Sequence, residues 1–175
     1  MATLTPLWTQ AATSDPAVIT DFLGARGVRF ERWDLPPRAV EIAAQGRLSD
    51  ADKQELLGLF AAELAREADT QGYRAADVVA IRSDLPGVDD ALAKFDKVHY
   101  HDDDEVRAIV GGEGVFGFVG ADGRQYLVTL QAGEYISVPA RAWHWFYCTG
   151  AKNVTALRLF KDNPSWIAHY RDTGR

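Results

Sequence analysis

The segment KFDKVHYHDDDEVRAIVGGEGVFGF, residues 94–118, marks a change in the pattern of the chain. From its middle to the C-terminus, short runs rich in β-branched and aromatic residues alternate with glycine and proline breaks. The runs that predict strands are 105–110, 115–119, 125–130, 135–138, 144–147 and 154–160. We interpret the glycine-rich break at 111–114 as a hairpin turn. Many short strands at close spacing are typical of a β-sandwich or a β-barrel.

The residues before this segment favour helices. We expect helices over 14–24, 49–68 and 74–81, and a strand over 28–35. Ser49 and Asp52 have the spacing of a capping box at the start of the longest helix. The predicted fold class is therefore α+β and mainly β, in a single domain of residues 1–175. Residues of about 1–93 would form a helical and strand-containing N-terminal part, and about 94–170 the barrel core.

Composition and charge limit the classes of partner. The chain has 175 residues, of which 47% are hydrophobic and 25% charged, so it can bury one core. Its net charge is −6. We expect no nucleic-acid partner and no membrane association, because either would require a basic surface.

The single cysteine bears on the compartment. Cys148 has no intrachain partner for a disulfide, as expected in a reducing cytoplasm. We interpret it as a packed thiol. Residues 1–10 lack the basic start and apolar run of a signal peptide, and no run has the length of a membrane span. We therefore expect a cytoplasmic protein, with a monomer as the simplest assembly.

A His-x-His pair followed by a carboxylate is the first candidate site. On a strand, His99 and His101 would project to the same side, about 6.6 Å apart along the backbone. The acidic run 102–104 offers a turn that returns Glu105 to the two imidazoles. The alternative interpretation is a solvated polar strand end without a metal.

His144 would complete a set of three histidines and one carboxylate. Such donors suit Fe, Mn, Co, Ni or Zn, and the absence of cysteine donors argues against a structural zinc site. Four protein ligands leave two positions of an octahedral ion open for a bidentate substrate. Alternatively, His144 is a core histidine satisfied by hydrogen bonds. His169 stands apart near the C-terminus, and we expect it at the surface.

Arg107 is two residues beyond Glu105, so on a strand it faces the same side. A buried guanidinium needs a partner. An anionic substrate beside the metal would provide one, and an ion pair with a structural carboxylate such as Asp104 would provide another. The sequence leaves both explanations open.

The spacing His99-x-His101-x3-Glu105-x6-Gly112, followed by Gly133-x5-Pro139-x4-His144, resembles the paired motifs of the cupin superfamily. Within that superfamily, the chain resembles the acireductone dioxygenase family. The likeness is carried by residues 94–118, by ISVPARAWHWF at 136–146, by ALRLFKDNPSWIAHY at 156–170 and by RFERWDL at 29–35. It spans most of the chain.

The resemblance implies a double-stranded β-helix barrel with the N-terminal helices packed outside it. It also implies one Fe(II) or Ni(II) ion per chain, bound by His99, His101, Glu105 and His144. The substrates would be O2 and the acireductone 1,2-dihydroxy-3-keto-5-methylthiopentene, bound as a dianion. In methionine salvage, iron members of the family give formate and 2-keto-4-methylthiobutyrate. Nickel members give formate, carbon monoxide and 3-methylthiopropionate.

Other residues match functional positions of the family. Arg107 matches the arginine that promotes the dianion, and Asp104 matches a position that relays conformational changes from the metal. Phe95, Phe146 and Trp166 match aromatic positions near the substrate pocket. Val98 stands where the family commonly has a glutamate associated with metal incorporation, and this departure bears on metal loading more than on chemistry. Arg141 stands where many cupins have glycine.

Two other functions compete with the dioxygenase. One is a different cupin metalloenzyme with the same ligands, such as a sugar isomerase or another dioxygenase. The other is a metal-binding cupin without turnover. Arg107 and a small aromatic pocket favour a small anionic, oxidisable ligand over a phosphosugar, which would require several basic residues.

Overall fold

The computed structural model describes residues 1–162 and 166–171, which form strands and five helices. The strands are β1 Thr3–Pro6, β2 Arg29–Arg32, β3 Ala75–Ile81, β4 His99–Tyr100, β5 Glu105–Val119, β6 Gln125–Gln131, β7 Glu134–Val138, β8 His144–Cys148, β9 Val154–Phe160 and β10 His169–Tyr170. The helices are α1 Pro16–Gly24, α2 Pro37–Ala43, α3 Asp50–Leu59, α4 Ala61–Gln71 and α5 Val88–Phe95. None of these helices is long and apolar enough to cross a membrane.

Strand β5 belongs to two sheets. Its first part pairs with β7 and β9, and its second part pairs with β6 and β8. Between them the register shifts after Ile109, and Gly112 adopts a φ of 70°. A Cβ on Gly112 would lie 1.8 Å from the carbonyl oxygen of Asn153, so only glycine fits. The predicted hairpin at 111–114 is therefore wrong: these glycines bend one continuous strand.

The two sheets form a barrel by packing their inner faces together. One sheet has the order β1-β6-β5-β8-β4-β10, and in the other β5 lies between β7 and β9, which pair with β2 and β3. Ile109 and Ile136 of the second sheet pack in one apolar cluster with Phe116 and Val128 of the first. The edge strands β1, β2, β3 and β10 leave the hydrogen-bonded ladder unclosed. The predicted cupin barrel is confirmed.

Helices cover the outer face of the second sheet. Val106 and Leu157 on this face are fully buried against Ile42 of α2 and Leu56 of α3. Burial of each such side chain stabilises the fold by about 1.5–3 kcal/mol. Helices α2 and α3 thus pack outside the barrel, as expected, while residues before 94 also contribute β1, β2 and β3 to the sheets.

Two of the predicted helices need correction. The helix expected over 74–81 is wrong, because Ala75–Ile81 form the edge strand β3, where Val78 and Val79 suit the pleated surface better than a helix. The helix expected over 49–68 is divided into α3 and α4 at Phe60, which is fully buried with a φ of −107°. Its capping box is confirmed by the reciprocal hydrogen bonds of Ser49 and Asp52.

Candidate metal centre

Three strands bring the four candidate ligands together inside the barrel. His99 begins β4, Glu105 begins β5 and His144 begins β8, while His101 follows β4 directly. One donor atom from each residue lies within 4.8 Å of the others. All four side chains are buried, with 1–4% exposure. The structure therefore brings together every residue that the sequence predicted for this cluster.

Hydrogen bonds to the backbone fix the orientation of each imidazole. The Nδ1 atoms of His99, His101 and His144 lie 2.6, 2.9 and 2.8 Å from the carbonyl oxygens of Lys97, Ile167 and Ala142. A carbonyl can only accept, so Nδ1 carries the hydrogen in each ring. In the neutral ring this leaves a lone pair on Nε2, which is the arrangement of a metal-binding histidine with a carbonyl behind it.

The remaining acceptor atoms face one another. Glu105 Oε2 lies 3.0 Å from His101 Nε2 and 3.1 Å from His144 Nε2. With neutral rings these buried atoms have no hydrogen between them, so they need a cation at their centre. The donor set of this structure therefore fits a metal ion.

Burial and neighbouring charges shift the pKa values of Glu105, His99 and His101. Burial would raise the pKa of Glu105, but the charge of Arg107 and the close contacts with His101 and His144 hold it well below its usual value. Burial, and next the neighbouring His144, lower the pKa of His99 to about 4. Burial would also lower the pKa of His101, but its contact with Glu105 outweighs this and raises it. Glu105 is thus ionised and His99 neutral at pH 7.

Arg107 connects this cluster to a cavity. Its Nε donates to Glu105 Oε1 at 3.0 Å, and its guanidinium carbon lies 4.9 Å from the centre of the Trp166 ring. The suggested ion pair with Asp104 is wrong, because that carboxylate binds other groups. Arg107 also lines the cavity, so it can contact a ligand there.

Asp104 links the turn before Glu105 to the loop before His144. It accepts hydrogen bonds from Tyr73 Oη at 2.8 Å and from the backbone N–H of Ala140 at 2.9 Å, and pairs with Lys161 at 3.1 Å. Burial would raise the pKa of Asp104, but these contacts lower it. A conformational relay through Asp104 stays a prediction.

The cavity beside Arg107 has a volume of about 750 Å³. Phe95 and Phe146 line it, and Trp166 lies over Arg107 and 5.9 Å from the His101 ring. The basic lining residues are Arg47, Lys53, Arg82, Arg107 and Arg158. This cavity is larger and more basic than the small aromatic pocket expected from the sequence.

Sequence reasoning missed much of the cavity wall. Helix α5 contributes Val88, Ala91, Leu92 and Phe95, whose helical spacing was a usable signal. Arg158, which is opposite Arg107 on β9, gave no such signal, because its position depends on the strand register.

The other singled-out residues lie outside the cluster. Val98 is buried, and its carbonyl accepts from the backbone N–H of Arg171. His169 pairs with Asp102 at 2.9 Å and is partly exposed. Cys148 is half-buried, and burial raises the pKa of its thiol to about 11, as expected of a packed thiol.

A double-stranded β-helix barrel that encloses three histidines and a glutamate defines a cupin with a metal-binding site. The model of the ARD/ARD′ family matches residues 36–168 of this chain. The chain therefore belongs to the acireductone dioxygenase family, as the sequence motifs predicted.

Individual relatives agree with this assignment. The acireductone dioxygenase of Leptospira biflexa is 37% identical over 166 residues, which cover 95% of this chain and 93% of the relative. That of Exiguobacterium sibiricum is 35% identical over 170 residues, covering 97% and 95%. A solved acireductone dioxygenase from Bacillus anthracis, with a cadmium ion in its active centre, matches with a TM-score of 0.90 and 35% identity, over 97% of this chain and 98% of that one.

Proposed function

We propose that this protein is an acireductone dioxygenase of methionine salvage. It cleaves 1,2-dihydroxy-3-keto-5-methylthiopentene with O2, giving formate and 2-keto-4-methylthiobutyrate with Fe(II), or formate, carbon monoxide and 3-methylthiopropionate with Ni(II). We expect it to act as a cytoplasmic monomer, with no nucleic-acid or membrane partner.

The observation that carries this proposal is the convergence of four buried donor atoms within 4.8 Å, next to a basic cavity. His99, His101, Glu105 and His144 would hold one Fe(II) or Ni(II) ion, since nitrogen and carboxylate donors suit both metals. When bound, the ion would act as a Lewis acid and as a template that orients the enediolate.

Arg107 holds the substrate in its deprotonated form. Its side chain is 15% exposed, lines the cavity and already pairs with Glu105 on one side. The other N–H groups of an arginine can donate to a second anion, and a dianion gains more from this charge than a neutral enediol. Because Arg107 is largely removed from water, its charge acts strongly on a neighbouring oxygen.

The aromatic residues exclude water from the reacting atoms. Phe95 and Phe146 form part of the cavity wall, and Trp166 covers Arg107. Asp104 would relay changes at the metal through its contact with Ala140, and Val98 would affect metal loading rather than the reaction. These roles follow the family positions that the residues match.

The direct test is oxygen uptake on adding acireductone to protein loaded separately with Fe(II) and Ni(II). We expect metal-dependent uptake well above the uncatalysed rate, with carbon monoxide from the nickel form. Absence of uptake from protein that demonstrably holds its metal would reject the dioxygenase. The search would then turn to other cupin enzymes and to binding without turnover.

A further inference from the structure

We infer that this enzyme accepts acireductones whose apolar tail is several carbon atoms longer than methylthioethyl. The tail would lie in the cavity that begins at Arg107. This inference rests on the proposed function and names a wider substrate class for the same site.

The cavity is larger than the methylthio substrate requires. A volume of about 750 Å³ falls in the range of pockets that enclose drug-sized ligands. The methylthio acireductone has only about ten non-hydrogen atoms, which is far below drug size. Much of the cavity would therefore stay unfilled with that substrate.

Strands β3, β5 and β9 form one side of the cavity, here called the cavity floor, and their residues follow a definite order along it. Strands β5, β9 and β3 place their side chains in rows that follow the register. The first row is Arg107, Arg158 and Asp77, the second is Ile109, Ala156 and Val79, and the third is Val154 and Ile81. Successive rows are about 6.6 Å apart. The floor is thus charged at one end and apolar for about 13 Å beyond it, which suits an anionic head followed by a long apolar tail.

The charges near this floor are already satisfied. Arg158 Nε donates to Asp77 Oδ1 at 2.7 Å in a two-point ion pair. Arg82 donates to the carbonyl oxygens of Ala43 and Val154, among others. Exposed Arg47 lines the cavity as well, so the cavity reaches the surface. The middle of the cavity therefore offers an apolar tail no unpaired charge to bury.

Gly114 leaves room for Phe146, one of the aromatic residues of the cavity wall. A Cβ on Gly114 would lie 2.6 Å from the Phe146 ring, so the missing side chain gives that ring room to lie against β5. On the other side, α5 contributes Ala91 and Leu92 rather than larger side chains. An extended chain gains about 1.3 Å per bond, so the floor has room for up to about ten tail atoms.

The test is a series of acireductones with unbranched tails from propyl to octyl, assayed with the metal-loaded enzyme after subtraction of the uncatalysed rate. We expect kcat/KM to rise about fourfold per added CH2 group until the cavity is filled. Val79→Phe should flatten this dependence by filling the second row. Val40→Phe, at an exposed position on α2, is the matched control and should keep it.

A binding measurement on the same metal-loaded protein gives a readout independent of turnover. The probes are alkanoates from butanoate to decanoate, whose Kd should fall with length in the wild type and in Val40→Phe but not in Val79→Phe. If the methylthio substrate still reacts but the Kd or the kcat/KM does not improve with tail length, the inference is overturned. Loss of turnover with every acireductone, the methylthio compound included, would overturn the proposed function and this inference together.

Discussion

His99 and His144 are register partners across β4 and β8, and the centres of their imidazole rings lie 4.6 Å apart. A β-ladder, rather than a flexible loop, thus sets the separation of two candidate ligands that are far apart in sequence. Since both Nδ1 atoms donate to backbone carbonyls, neither ring can turn without losing a hydrogen bond. These hydrogen bonds therefore fix the orientation of both rings.

The first prediction concerns metal content. His144→Ala should reduce the bound metal from one ion per chain to a small fraction, because the remaining donors no longer enclose the ion. His169→Ala, which changes a histidine outside the cluster, should keep the full content. Elemental analysis after loading and desalting measures both. Equal metal in the two variants would contradict the ligand assignment.

The second prediction separates substrate activation from metal binding. Arg107→Met should lower kcat/KM by about 10²-fold, since the charge that favours the dianion is lost. Arg107→Lys should recover part of this loss by restoring the charge without the planar guanidinium. Metal content should stay at the wild-type level in both. If Arg107→Met keeps wild-type activity, Arg107 does not favour the dianion as we propose.

The third prediction tests the contact that holds Asp104. Tyr73 is buried, and its hydroxyl lies 2.8 Å from Asp104 and 3.3 Å from Ser137 Oγ. Tyr73→Phe should lower the free energy of unfolding by about 1–2 kcal/mol, as expected for a lost buried hydrogen bond. Denaturant unfolding measures the change. If the variant is as stable as the wild type, the other contacts of Asp104 hold it without the hydrogen bond from Tyr73.

The fourth prediction compares two glycines. Gly112→Ala combines a φ of 70° with a Cβ 1.8 Å from a backbone oxygen, so it should destabilise the protein by more than about 3 kcal/mol. Gly58→Ala lies in α3 with no atom within 4 Å of the added methyl group. It should stabilise the protein by about 0.5–1 kcal/mol. Thermal unfolding of the two variants should thus shift in opposite directions.

The fifth prediction concerns alkaline pH. Burial raises the pKa of Tyr126 from 10.0 to about 12, against the opposing charge of Arg26. The folded protein then holds this proton more tightly than the unfolded chain, so the contribution is complete below pH 10 and is lost as the pH rises toward 12. At most about 3 kcal/mol is involved. Unfolding free energies measured across this range should fall, and Tyr126→Phe should remove its share of the fall. If the free energy of unfolding of Tyr126→Phe falls with pH as steeply as that of the wild type, this prediction is wrong.

The sequence predicted the ligands and most of the strands, including the one that begins with His144, but it did not predict that β5 is continuous. His99 and His101 follow from a spacing of two, and the cupin motifs supply the distant His144. The bend at Gly112 could not be predicted locally, because a glycine run fits a hairpin as well as a bent strand. The register of β3, β5 and β9 distinguishes the two, and that register forms only when the barrel does.

The same limit applies to the cavity. Residues 74–81 have apolar residues that suit either a helix or a strand, and pairing with β9 decides in favour of a strand. Arg158 becomes a neighbour of Arg107 only through that pairing. Helix α5 was missed although its apolar spacing was present, since it is short and packs chiefly over the cavity.

Strand β5 is hydrogen-bonded along both of its edges, and Glu105 stands at its beginning. Each of its amide hydrogens that is bonded to a neighbouring strand can exchange with solvent only when that strand separates from β5. In the slow-exchange limit, the slowest amides of β5 would therefore report the opening of the barrel, whereas fraying of the edge strands β1, β2, β3 and β10, which do not pair with β5, would leave Glu105 in place. The lifetime of the assembled site is in this way tied to the lifetime of the whole domain.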